Sequence, residues 1–445
     1  MPLPAPDLVA LLRRENPWLD DPTRWSTEVD ARLPERYFDR RQPAVARLDS
    51  NGLSRERATL LVGPRQAGKS TWVWHHLGQL PPRVLFVDCE LHRFRAWCRD
   101  PGGFLADLHA IIPEPDAVFL EEAQHLEEAG LFVKGLIDRR LPCPLIVTGS
   151  SSFHLASGTR ESLAGRARRA RLFPFCLDEV CGDLDGIAPA LREARGSERF
   201  ERYLAVGGYP AVWLSETPET ELSALVEAFV IRDASDLYKV ERLDAFRTLL
   251  QLAARQIGSI VNLSEWASLV GVSVPTVSAY LALMEESHLL VRLPPFAGGR
   301  RAELTRNPKV YFIDIGLRNH LVGDLSPFEH RADRGPLLEN HVFSELWKAL
   351  PFAASLNWWR TRSGAEVDFV LREGNRRVGI EVKAARMTRP TLSRGARSFL
   401  QAYQPDRLLV ANLELAHVED VEGCVVEWLP VTKVVARVRE VLGLR

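Results

Sequence analysis

The sequence predicts an α/β protein: a parallel sheet with a helical lid first, a short helix-and-hairpin region next, and a mixed α/β region last. Three observations predict it. Between "ATLLVGP" and about residue 183, the apolar runs "RVLFVD", "DAVFLEE" and "CPLIVTGS" alternate with helical stretches, as buried parallel strands do. Residues 184–258 repeat apolar positions at helical spacing. Beyond residue 313, "AEVDFVL" and "VGIEVKAA" return to strand-like patterns.

At 445 residues the chain is too long for one ordinary domain. We divide it into an N-terminal extension (1–50), a sheet core (51–183), a helical lid (184–258), a helix-turn-helix region with a hairpin (259–312) and a mixed α/β region (313–445). A formal net charge of −1 excludes a uniformly basic nucleic-acid coat, so any such binding rests on local patches. No apolar run has membrane-spanning length, and the first residues place their charges after the apolar stretch, the wrong order for a signal peptide. Six cysteines without CxxC pairing suggest reduced thiols. The expectation is a cytoplasmic protein that does not enter membranes. Of 57 Lys and Arg residues, only Lys69, Lys134, Lys239, Lys309, Lys348, Lys383 and Lys433 are lysine. In so arginine-rich a chain, a lysine hints at chemistry that wants a compact ammonium.

The sheet core opens on a phosphate-binding signature. In "LLVGPRQAGKST", Gly63, Gly68, Lys69 and Ser70 match G-x-x-x-x-G-K-[ST] between an apolar strand and a helix start. Gly63, Pro64, Arg65, Gln66, Ala67, Gly68, Lys69, Ser70 and Thr71 are the expected ATP cradle. There Lys69 reaches the β- and γ-phosphates and Ser70 ligates Mg²⁺. The next strand ends in Glu121 and Glu122. We assign Glu121 to the metal and Glu122 to activating water, while acids after a buried strand also suit a helix start. Thr148, Ser150 and Ser151 end a third strand, where they either sense the γ-phosphate or merely cap the strand. Residues 160–171, "RESLAGRARRAR", form either a basic helix face or the source of an arginine finger, Arg166 first and Arg168 second.

"NLSEWASLVGVSVPTVSAYLALMEE" has the outline of a helix-turn-helix, with Ser264 as the expected cap of its first helix, a turn at Gly271 and Ser273 or Val274-Pro275 opening the second. "HLLVRL" and "KVYFIDIG" suit the strands of a wing, joined by a segment carrying Arg292, Arg300, Arg301, Arg306 and Lys309. The second helix has no Arg or Lys from Pro275 to Glu286. If it meets DNA, shape or backbone contact fits better than base readout, and protein contact is the other use of such a module.

In the last region, Asp368 and Glu381 fall on neighbouring strands, and Lys383 shares a face with Glu381. Two carboxylates can share Mg²⁺, and a nearby ammonium can orient water or steady a phosphate. The alternative is a surface hairpin with solvated charges.

"GPRQAGKST", "FLEEAQ", "TGSSS", "LAGRARRARLFPFCLDEV" and "YLAVGGYP" together resemble the AAA-type (AAA+) P-loop ATPases of bacteria and archaea, joined there to domain of unknown function 4143. The resemblance spans about residues 45–430. It implies a helical lid, a winged helix and a restriction-endonuclease-like module, with an assembly of identical subunits if Arg166 acts in trans. The family usually has Asp where this chain has Glu121. The last region resembles the PD-(D/E)xK arrangement, with Asp368, Glu381 and Lys383 in the motif. Glu339 matches the upstream helical acid, and Glu366 is a possible helper. The expected function is an ATP-hydrolysing, structure-selective DNA motor of helicase or branch-migration type. An ATP-gated, Mg²⁺-dependent nuclease or a nucleotide-switched regulator are the alternatives.

Overall fold

The structure, a computed structural model, describes residues 6–149, 163–184, 186–229, 234, 240–298, 307–351 and 354–444. The chain divides into two compact units, Met1–Pro174 and Phe175–Arg445.

The first unit is built on a parallel sheet of β1 (Ala58–Val62), β2 (Val84–Asp88), β3 (Ala117–Glu121), β4 (Leu145–Gly149) and β5 (Ala167–Arg171), ordered β2-β3-β4-β1-β5. β1 and β4 are buried along their whole length, which is why they read as unbroken apolar runs, and α1 (Lys69–Leu77) follows β1. β5 reads differently. Its sequence is "ARRAR" and only Ala170 is buried, yet it pairs in register with β1 from Ala58–Ala167 to Val62–Arg171. Residues 167–171 are thus an edge strand and not a basic helix face, because the ladder needs backbone groups and an edge tolerates charged side chains.

The other edge, β2, is covered by the N-terminal segment. Asn16 imitates a neighbouring strand: its Nδ2 donates to Phe86 O at 3.0 Å, and Phe86 N donates to its Oδ1 at 2.7 Å. Trp18 is fully buried, donates Nε1–H to Val84 O at 2.8 Å, and packs edge-on against Trp25 and Trp74. The segment that carries Asn16, Trp18 and Trp25 therefore braces the sheet.

The second unit begins with helices, among them α2 (Pro189–Val206) and α3 (Leu243–Arg255). α4 (Leu263–Val270) and α5 (Val274–Glu286) follow, the chain bending by 98° between them. Ser273 caps α5 by accepting from Thr276 N, whereas α4 is capped by Asn262, which accepts from Glu265 N, and not by Ser264. The same capping chemistry operates two residues earlier. β6 (Leu290–Leu293) and β7 (Lys309–Phe312) then pair antiparallel. Arg300, Arg301 and Arg306 lie outside the described residues, as do Ser150, Ser151 and Arg160.

After α6 (Ile315–Val322) and α7 (Arg334–Ala349) comes a mixed sheet of β8 (Ser355–Arg360), β9 (Glu366–Glu373), β10 (Arg376–Val382), β11 (Arg407–Asn412), β12 (His417–Val421) and β13 (Cys424–Pro430). The order is β12-β13-β11-β10-β9-β8, with β11 parallel to β10 and β13 and the remaining pairs antiparallel. β9 and β10 form a tight hairpin in which Glu373 pairs Arg376 across Gly374-Asn375.

A buried polar joint ties α2, α6 and α7 together. Asp314 accepts from Gly208 N at 2.8 Å and Leu317 N at 2.9 Å, and Asn319 Nδ2 donates to Leu204 O and Ala205 O, both at 2.9 Å. Tyr203 Oη lies 2.7 Å from both Phe175 O and Glu345 Oε1, and Lys348 donates to it at 2.8 Å. The "AVGGYP" stretch is thus a packing device: it presents bare backbone to Asp314 and to α6.

His341 is buried in the same joint between the rings of Phe200 and Tyr203, and burial lowers its pKa to about 3. In the unfolded chain it titrates near its ordinary value of about 6.5. Between those values the unfolded state holds the extra proton, so His341 contributes stability that is present above about pH 6.5 and lost as the pH falls. The expected loss is about 1 kcal/mol per pH unit between about pH 6 and 4. Asp314 and Glu345, raised by burial, have the opposite slope. Thermal unfolding of wild type and His341→Asn from pH 7.5 to 5 isolates the histidine: the gap in stability should narrow with acid, and a pH-independent gap contradicts the assignment.

Candidate nucleotide site and candidate metal centre

The two sites belong to different units. In the first, β1 delivers the chain into the loop at Gly63, where an added Cβ would lie 2.0 Å from Leu172 O, so only glycine fits beside the end of β5. Gly68 takes the left-handed conformation (φ 92°) that caps α1 (Lys69–Leu77). Lys69 is buried, and its Nζ donates to Gly63 O at 3.1 Å and Pro64 O at 2.9 Å. Arg40, from the N-terminal segment, props the loop by donating to Ala67 O at 2.9 Å.

β3 brings the paired acids to the same edge. Burial pushes the Glu121 carboxyl up to about 7, against a hydrogen bond from Ser70 and the charge of Lys69, with Glu122 and Asp88 adding to the rise. The next residue, Glu122, sits in the left-handed region (φ 51°, ψ 46°) and so turns away from the strand. Its N–H donates to Thr148 Oγ1 at 3.3 Å, and Gln124 donates to its Oε2. Thr148 thus orders the Glu122 backbone, a task sequence reasoning did not give it. Gln124 and the strand-end acid Asp88, which stands level with Glu121, went unassigned. "FLEEAQ" and "LFVD" carried the only available signal: polar residues just past a buried strand.

These residues fit a Mg²⁺-bound nucleoside triphosphate. An ammonium lies inside a glycine-turned loop, and a hydroxyl and a carboxylate are already paired beside it. Arg166 lies just before β5 and pairs with Asp138 of its own unit. Arg168, within β5, is partly buried.

In the second unit, β9, β10 and α7 converge. Asp368 Oδ2 accepts from Val382 N at 2.7 Å, which fixes it against the end of β10. Burial first, and the Glu339 charge second, raise its pKa well above the carboxylate range, with Lys309 opposing. Glu381 is 4% exposed. Its Oε1 lies 2.5 Å from Lys383 Nζ, while Oε2 is buried without a hydrogen-bond partner. A buried carboxylate oxygen left unpaired is costly, and a divalent cation is the group that would satisfy it. The donor set therefore fits a metal. Glu339, on α7, enters the same cluster and accepts from Tyr311 and from Lys309, the latter at 3.2 Å. Lys309 and Tyr311 were missed here: Lys309 was read as a wing cation, although the scarcity of lysine already flagged it.

The sheet order and loop of the first unit define a P-loop nucleotide-binding fold. Residues 55–181 match the family described as AAA domain. Residues 197–327 and 334–433 match two domains of unknown function, DUF8612 and DUF4143. The chain thus carries an AAA domain in front and a DUF4143 domain behind. It is 28% identical over 376 residues to an uncharacterized protein of Mycobacterium tuberculosis, covering 83% of this chain and 79% of that one. An uncharacterized protein of Haemophilus influenzae is 24% identical over 339 residues, covering 73% and 81%. Among solved structures, AMPPCP-bound DnaA from Aquifex aeolicus aligns over 57% of this chain and 91% of its own at 13% identity, with a TM-score of 0.25, too distant to carry weight. Among the described residues no single helix is long and apolar enough to cross a membrane.

Proposed function

We propose that this chain hydrolyses ATP and uses it to remodel or unwind DNA, with the AAA domain as engine and the second unit as the DNA-handling part. The observation that carries the DNA half is the Asp368–Glu381–Lys383 cluster: two carboxylates and an ammonium at the ends of adjacent strands, one carboxylate oxygen buried and unpaired. Such a set suits a divalent cation and a phosphodiester. The three helices and hairpin of residues 243–312 supply a module of the kind that lies on duplex DNA.

In the engine, the Gly63–Thr71 backbone and Lys69 hold the phosphates, and Ser70 with Glu121 holds Mg²⁺. When bound, that ion polarises the phosphoryl group. Glu122 is placed to take a proton from the attacking water, and Gln124 and Thr148 fix its orientation. Arg166 serves a neighbouring subunit's nucleotide, which makes the working form an oligomer.

A second reading, an ATP-gated nuclease, is favoured by the unpaired Glu381 oxygen. One gel separates the two. Branched and duplex DNA are incubated with ATP and Mg²⁺ and with wild type, Glu122→Gln or Asp368→Asn. Strand separation lost in E122Q and weakened in D368N, with no fragments in any lane, is the result expected of the motor. Fragments that vanish in D368N establish cutting. Unaltered DNA in every lane contradicts action on DNA.

A further inference from the structure

Lys309 reaches the carboxylate cluster from outside the mixed sheet. It opens β7, the second strand of the hairpin that follows α5, and is only 3% exposed. Its Nζ lies 2.5 Å from Glu366 Oε1 and 3.2 Å from Glu339 Oε1. Tyr311, two residues along the same strand, donates to the same Glu339 oxygen, and Arg360 stands 3.5 Å from Glu366 Oε2. A buried ammonium is tolerated only when paired, and this one is paired by the two acids that flank Asp368. The cluster therefore has two halves. Glu339 and Glu366 already have their cations and donors. Glu381 keeps an unpaired oxygen beside Asp368, whose Oδ2 accepts from Val382 N.

We propose that Lys309 is a resident cation of this site: it withholds Glu339 and Glu366 from a divalent ion, leaves that ion to Asp368 and Glu381, and thereby limits how tightly the site takes it. The inference rests on the metal-centre reading above. Its physical basis is competition. Like charges repel at short range in a partly dry site, and a carboxylate oxygen committed to an ammonium is not free to ligate, whereas Glu381, whose Oε1 meets Lys383, keeps its Oε2 unpaired. Removing the ammonium both lifts the repulsion and releases Glu339. The hairpin that carries Lys309 thus sets the ion affinity of the sheet it leans on.

The test is Mn²⁺ binding to the full chain, counting only the part that Asp368→Asn abolishes so that the nucleotide site does not contribute. Lys309→Met keeps the stem volume and is expected to bind Mn²⁺ about tenfold more tightly than wild type, with Lys309→Met/Glu339→Gln keeping only the part of the gain that lifted repulsion supplies. Glu339→Gln alone is expected to change affinity by less than about twofold, because Glu339 is tied to Lys309. A folded Lys309→Met with unchanged or weaker binding overturns the proposal. If that variant does not fold, Glu339→Gln decides: a loss of about tenfold means Glu339 ligates the ion directly and the proposal is wrong. Binding that ignores Asp368→Asn, or is absent from wild type and Lys309→Met alike, defeats the metal-centre reading and this proposal with it. Asp368-dependent binding that Lys309→Met leaves unchanged defeats this proposal alone.

Discussion

Lys69→Ala is expected to lower ATP turnover about a hundredfold or more while the first unit stays folded. The side chain is the buried cation of the phosphate loop, held by the carbonyls of Gly63 and Pro64. On the proposed reading those carbonyls give way to phosphate oxygens, so the loss is expected in nucleotide binding and in stabilising charge during transfer. Lys69→Arg is expected to fare little better. The loop was shaped around a compact ammonium, and a planar guanidinium is too broad for it. Phosphate release measured beside circular dichroism checks both. Turnover within about threefold of wild type in a folded Lys69→Ala protein contradicts the assignment.

The largest expected effect on stability lies in the second unit. Gly316→Ala is expected to destabilise it by more than about 4 kcal/mol, or to prevent its folding. An added Cβ would lie 1.8 Å from Val206 O and 2.2 Å from Val206 C, both of them backbone atoms that cannot swing aside. Relief requires α6 to move off the end of α2, which breaks the Asp314 bond to Gly208 N and the Asn319 bonds to Leu204 O and Ala205 O. Gly323→Ala on the same helix meets nothing within 4 Å but sits at φ 82°, so it costs only about 1 kcal/mol and serves as the control. Thermal unfolding of the two variants measures the difference, and equal effects contradict the close-packing account.

How much was legible follows from distance along the chain. The phosphate loop was readable because strand, glycines, lysine and helix start are neighbours in sequence. The Asp368–Glu381–Lys383 set was readable because a two-residue hairpin turn and a period of two fix which residues face each other. β5 was hidden because its arginines mask a strand whose pairing rests on backbone groups alone. Asn16 and Trp18, which brace β2 from some 70 and 66 residues away, carry no local signal at all. Lys309 is the intermediate case. Its residue type stood out in an arginine-rich chain, but its partners Glu339 and Glu366 lie 30 and 57 positions on, and only the fold reveals that it serves the carboxylates and not the wing. "AVGGYP" had no chemical reading from sequence, because its purpose is contact with backbone and carboxylate more than a hundred residues later.

The most direct test of the central claim is ATP turnover by the purified full chain in Mg²⁺, first alone and then with single-stranded, duplex and branched DNA. Lys69-dependent turnover is expected to rise several-fold with at least one DNA form. Turnover indifferent to every DNA, at equal protein and salt, would contradict a DNA-acting engine and leave a nucleotide-driven protein whose partner is something else.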